Sequence, residues 1–225
     1  MEGYFTMTAD DLFEINRRVA YALWNVASST SPPSGLSPRL VFPDLRSGKT
    51  RVSEQEARLL WCTSLQETSF YYAVEAPTTK TYIQTGKKGQ SARTDVALYE
   101  ASGSSLHRVA NIEFKAGSSS SEQIRKDLEK LIREDISGNW FHLLYARNSG
   151  TLPSLSKKFV NGFNKCASIV KHDVDIVFCI CVLREKQMFA RRFCFRFAEG
   201  NFTSYVSDFF EHIDKWSVVP SANAG

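Results

Sequence analysis

A chain of 225 residues, 43% hydrophobic and 23% charged, has the makeup of a folded globular protein and is long enough for one domain with a substantial core. That excludes disorder as the default state, and no apolar run approaches the roughly 18 to 20 residues of a bilayer span. The formal charge of +4 is compatible with a polyanionic partner but does not require one.

Thr8 is placed to cap a helix that carries Leu12, Ile15, Val19, Leu23 and Val26 on one face. Residues 28–53 hold Ser-Pro-Pro-Ser-Gly and further Pro and Gly residues, which break regular structure. Residues 1–50 therefore read as an N-terminal helix plus connector, 51–218 as the main domain and 219–225 as a flexible tail. Met1-Glu2-Gly3-Tyr4 lacks a basic region followed by an apolar stretch, so no secretory leader is read and a cytoplasmic location is expected. The five cysteines include Cys179 and Cys181, which alternate in an apolar run and are expected as buried free thiols on one strand face.

A second helix is predicted from Ser53, with Glu56 three residues on as in a capping box, to about residue 65. Aromatic and β-branched runs at 70–74, 81–83, 94–99 and 109–115 then predict strands. Ile124, Leu128, Leu131 and Ile132 follow helical spacing, with Ser120 and Gln123, or Ser119 and Glu122, available as the cap. Further on come a strand at 140–145, a helix at 155–170, an almost wholly apolar strand at 175–183, a strand at 189–197 and a helix at 206–215. Strands alternating with helices predict an α/β fold, a mixed β-sheet flanked by helices.

Two of these strands carry charge where the pattern expects apolar residues. Glu113 and Lys115 are two apart, so they share one face, and Asp95 joins them if its strand pairs with theirs. Clustered carboxylates repel unless a cation lies between them, and a hard divalent ion prefers oxygen ligands and keeps several waters. Such an ion lowers the pKa of bound water and offsets charge developing on a phosphodiester, while an ammonium steadies the transition state. No histidine pair at metal spacing and no Gly-x-Ser-x-Gly elbow competes with this cluster.

Asp95, followed after a loop by Glu113-Phe114-Lys115, resembles the signature of the PD-(D/E)XK, or restriction-endonuclease-like, nucleases, with Thr94 in place of the proline. The resemblance covers about the central hundred residues. It implies a helix, a three-stranded meander, a helix and a further strand, with Mg²⁺ or Mn²⁺ on Asp95 and Glu113 and water assisted by Lys115. It also implies a further acidic ligand from the first helix or strand, for which Glu75 ranks ahead of Glu56 and Glu67. The helix after Gln123 has Asp at position 127, so it departs from the Gln-x-x-x-Tyr element of the exonuclease-like branch. The expected activity is hydrolysis of DNA, by endonucleolytic cuts, in restriction, phage defence or DNA processing, with RNA as an open substrate. Lys87, Lys88 and Arg93, in and beside a glycine-flanked basic turn, are candidates for phosphate contact, and Arg191, Arg192 and Arg196 for contact along a backbone. A homodimer or protein partner also stays open, and a membrane role is not expected. The competing expectation is an inactive nuclease-like fold that binds nucleic acid or protein without cutting.

Overall fold

The computed structural model describes residues 7–28, 40–43, 51–82, 90–198 and 200–220. Helix α1 (Ala9–Ser28) begins at a reciprocal cap: the Thr8 N–H donates to the Asp11 carboxylate at 2.8 Å, and the Thr8 hydroxyl accepts from the Asp11 N–H at 3.2 Å. Helix α2 (Glu54–Ser64) starts at the predicted Ser53–Glu56 capping box. Strands β1 (Tyr71–Tyr82), β2 (Gln90–Ser102) and β3 (Ser105–Ala116) form an antiparallel meander. The tight turn from β2 to β3 places Gly103 at a φ of +60°, a conformation glycine adopts without steric cost.

Helix α3 (Ser121–Arg133) follows, capped by Ser120 with Gln123, and leads into β4 (Ser137–Leu144), parallel to β3. Helix α4 (Thr151–Cys166) leads into β5 (Val174–Val182), parallel to β4. Antiparallel β6 (Gln187–Phe195), α5 (Phe202–Phe210) and β7 (Ser217–Pro220) complete the described chain. The described residues form one seven-stranded sheet in the order β1-β2-β3-β4-β5-β6-β7. The fold is therefore α/β, a mixed sheet flanked by helices. None of its described helices is long and apolar enough to cross a membrane.

Each face of the sheet has its own core. On one face α3, α4 and α5 bury Ile124, Leu128, Phe159, Phe163, Phe209 and Phe210 against Trp140, Phe178 and Phe193. On the other, α1 and α2 bury Leu12, Leu23, Trp24 and Trp61 against Ile112, Phe114, Phe141 and Cys179. Cys179 and Cys181 lie on this second face, buried and free, as their alternation predicts. A buried polar clasp fixes the second layer. Asn16 of α1 donates to Asn139 of β4 at 2.7 Å and accepts from the Trp61 indole of α2 at 3.0 Å. Groups of this kind are costly when unpaired, so the clasp specifies how α2 docks, and α2 carries one member of the site described below.

Several boundaries differ from expectation. The runs at 70–74 and 81–83 belong to one strand, β1, whose register shifts between Pro77 and Thr81. Helix α4 begins at Thr151 rather than 155, because Pro153 lies in a first turn, where no backbone donor is needed. Helix α5 begins at Phe202 rather than 206, at Asn201, whose side chain accepts from the N–H groups of Thr203 and Ser204. β6 ends at Phe195 rather than at 197, and Phe197 is exposed. Residues 217–220 pair with β6, so the chain from 219 opens as an edge strand rather than a loose tail. Residues 221–225 lie outside the described residues.

Candidate active site

The pairing of β2 with β3 runs up to Val96 opposite Ile112 and stops there. Beyond it the Asp95 side chain takes over the role of a ladder carbonyl, and its Oδ2 accepts from the Phe114 N–H at 2.8 Å. β3 continues alongside β4 to Ala116 opposite Leu143. Glu113 and Lys115 project from this segment toward α3, while Ile112 and Phe114 face α1 and α2.

Glu113 is fully buried. Its Oε1 accepts from the Thr94 hydroxyl at 2.7 Å and its Oε2 from the Lys130 ammonium at 2.6 Å. Lys130 also meets Asp127 Oδ1 at 2.7 Å and the Arg93 carbonyl at 2.9 Å. Asp127 in turn binds the Lys115 ammonium through Oδ2 at 2.8 Å, and Lys115 lies 3.6 Å from Glu54 Oε2. The contacts form a chain of alternating charge: Glu113, Lys130, Asp127, Lys115, Glu54. Asp95 lies beside it, close enough to exchange electrostatic influence with Glu113, Lys115, Asp127 and Lys130.

Burial raises the Asp95 carboxyl above its ordinary range, against the pull of the Phe114 N–H and Lys130. Burial also raises Glu113, aided by the nearby charges of Asp127 and Asp95 and opposed by Lys130. For Lys115, burial works against the charge, but Asp127, Glu54 and Asp95 outweigh it and hold the ammonium above the usual lysine value. Burial likewise disfavours the charge on Lys130, and Glu113 and Asp127 more than restore it. Lys115 is therefore an ammonium at neutral pH, suited to offsetting negative charge and unsuited to removing a proton. A cleft of about 410 Å³ opens beside it, lined by Arg51, Glu54, Gln55, Lys115, Ser119 and Gln123.

Among the described residues, no group of three or more His, Cys, Asp and Glu side chains is gathered closely enough to hold a metal ion. Carboxylate oxygens are the donors a hard divalent cation takes, but both Glu113 oxygens are already bonded, to Thr94 and Lys130. Asp95, Glu113, Asp127 and Glu54 are the carboxylates of this cluster among the described residues, and Lys115 and Lys130 are the ammonium groups in contact with them. Asp95 Oδ1 has no hydrogen-bond partner among the described residues.

The other residues singled out in the sequence lie apart from this cluster. Glu75, ranked first as a third acidic ligand, pairs with Arg58 at 2.5 Å. Glu56 is used in the α2 cap, and Glu67 is exposed beside Arg18 at 3.3 Å. The acidic residue that α2 brings to the site is Glu54. Arg93 is exposed and contributes its carbonyl to Lys130, and Lys87 and Lys88 lie outside the described residues. The β6 arginines are engaged locally: Arg192 pairs with Asp175, Arg196 beyond the strand end pairs with Asp173, and Arg191 lies over the Phe209 ring. Asp127 and Lys130 were not singled out, though the sequence carried a signal. Asp127 stands three residues after Ile124 and four before Leu131, so it falls on the apolar stripe of α3. No protein-family model, no curated protein and no solved structure matches this chain.

Proposed function

We propose that the chain is a metal-dependent nuclease that hydrolyses phosphodiester bonds of DNA in the cytoplasm, with endonucleolytic cuts. The observation that carries this reading is the clustering of Asp95, Glu113 and Lys115 with Asp127 and Lys130, with Lys115 lining an open cleft. Asp95 and Glu113 would hold Mg²⁺ or Mn²⁺. Bound there, the ion would activate a water and offset charge on the phosphoryl group. Lys115, held as an ammonium by Asp127, offsets the charge that builds on the non-bridging oxygens and orients the attacking water. Lys130 neutralises Glu113 and, through Asp127, fixes where Lys115 points.

A second reading, a binding module without catalysis, is favoured by one observation: Glu113 has no exposed surface, and both of its oxygens are already bonded. A cleavage assay separates the two. Supercoiled plasmid, single-stranded DNA and RNA are incubated with Mg²⁺, Mn²⁺ or EDTA, beside Asp95→Ala and Lys115→Ala. The expected outcome is metal-dependent cutting of DNA that falls at least about 100-fold in each variant. Folded protein that cuts no substrate and shows no heat of Mg²⁺ binding would leave the binding module as the function.

A further inference from the structure

A second cleft, of about 420 Å³, lies across the 117–119 loop from the first, and both are lined by Ser118 and Ser119. It opens beyond the C-terminal ends of the parallel strands β3 and β4, the usual place for ligands in open α/β sheets. The volume is within the range of small-molecule sites, about 300 to 1,000 Å³. Leu144 and Leu155, both nearly buried, give it an apolar floor.

Three polar or aromatic groups distinguish this cleft from a packing defect. The Tyr145 side chain is 46% exposed, and its ring meets no other aromatic ring among the described residues. The Lys158 ammonium lines the second cleft and is held against the loop that both clefts share, donating to the Ser119 carbonyl at 2.8 Å and to the Ser118 hydroxyl at 3.2 Å. His142 is fully buried, with Nε2 2.8 Å from the Gly117 carbonyl and Nδ1 without a partner. Burial lowers the imidazole pKa to about 4, so the ring is neutral. A carbonyl accepts only, so Nε2 carries the proton and Nδ1 is an acceptor without a donor.

We propose that this second cleft receives one unpaired nucleotide of a DNA strand, with its base against Tyr145 and the apolar floor and its phosphate on Lys158. The next phosphodiester would cross the Ser118–Ser119 loop to the acidic cluster, so the substrate class rests on the nuclease reading of that cluster. Stacking on an aromatic side chain suits any base, and one ammonium beside hydroxyls suits one phosphate. A continuous duplex keeps its bases paired and has none to offer this cleft.

The test is direct binding in EDTA, where no turnover occurs, with a fluorescein-labelled single-stranded 10-mer and the corresponding blunt duplex. Single-stranded DNA is expected to bind at least tenfold tighter than duplex. Tyr145→Ala and Lys158→Gln should each weaken it about tenfold or more, and Tyr145→Phe should bind as the parent does. Equal binding of duplex, or full binding by Tyr145→Ala, overturns the proposal. Plasmid cleavage without single-strand binding would sink the nucleotide cleft and leave the nuclease reading standing. Tyr145-dependent binding without cleavage in Mg²⁺ would do the reverse.

Discussion

β5 and β3 lie two strands apart in one sheet, and both run through the interior, yet they are built on opposite principles. β5 reads Val-Asp-Ile-Val-Phe-Cys-Ile-Cys-Val, and its centre, Phe178, touches Trp140, Phe159, Phe193 and Phe210 at ring separations of 5.2 to 6.4 Å. Burying such a side chain stabilises the fold by about 1.5 to 3 kcal/mol. β3 places Glu113 at the same zero exposure. Moving a carboxylate there costs several kcal/mol before its partners are counted, and a well-packed apolar residue would serve the fold as well or better. β5 holds the molecule together. The β3–α3 cluster is a cost the fold carries, which is the physical reason to read it as functional.

The largest test of that difference is Lys130→Met, which leaves Glu113 buried without its 2.6 Å counter-ion. Urea denaturation at pH 7 should show a loss of about 3 to 5 kcal/mol. In the double variant Glu113→Gln/Lys130→Met, more than half of that loss should return, because no charge is then stranded. A loss below about 1 kcal/mol for Lys130→Met would mean that Glu113 accommodates a proton freely, and the contrast with β5 would collapse.

His142, on β4 between the two strands, gives an intermediate effect that is read through pH. Burial, with Lys115 and Lys158 nearby, lowers its pKa from 6.5 to about 4, against the Gly117 carbonyl. As pH falls below 6.5, the unfolded chain takes up a proton that the folded chain refuses, so stability declines until about pH 4 and then levels. Glu113 works in the opposite direction, since a raised carboxyl takes up its proton at higher pH in the folded chain than in the unfolded one. The His142 contribution is isolated by comparison with His142→Asn. The stability difference between parent and variant should shrink by on the order of 3 kcal/mol between pH 7 and pH 4. Parallel pH profiles would show that the imidazole is not held neutral.

The same contrast explains what the sequence revealed. β5 was legible because an almost wholly apolar run means burial on both faces, and α2 and α3 because Ser53–Glu56 and Ser120–Gln123 cap them locally. Asp95, Glu113 and Lys115 were legible because charge interrupts strand patterns whose alternation fixes the face. Lys130 was not, because on a helix with Lys126, Glu129 and Arg133 one more charge reads as solvated surface. Glu54 and Glu56 both stand in the first turn of α2, where acids favour the helix dipole. Only the docking of α2, set by Asn16, Asn139 and Trp61, selects Glu54 for the site.

The smallest effect is the sharpest check, because it uses the same kind of contact in a different place. Arg192 of β6 meets Asp175 of β5 at 2.5 Å, as short as the Lys130–Glu113 pair, but with side chains 46% and 29% exposed. Water screens that pair and competes for both groups, and ordering two side chains offsets much of what is left. Arg192→Ala should therefore cost about 0.5 kcal/mol or less by urea denaturation, a difference that shrinks further in 1 M salt. If it costs as much as Lys130→Met, contact distance rather than burial sets the energetics of these ion pairs. The β3–α3 cluster would then lose its claim to be exceptional among the charges of this sheet.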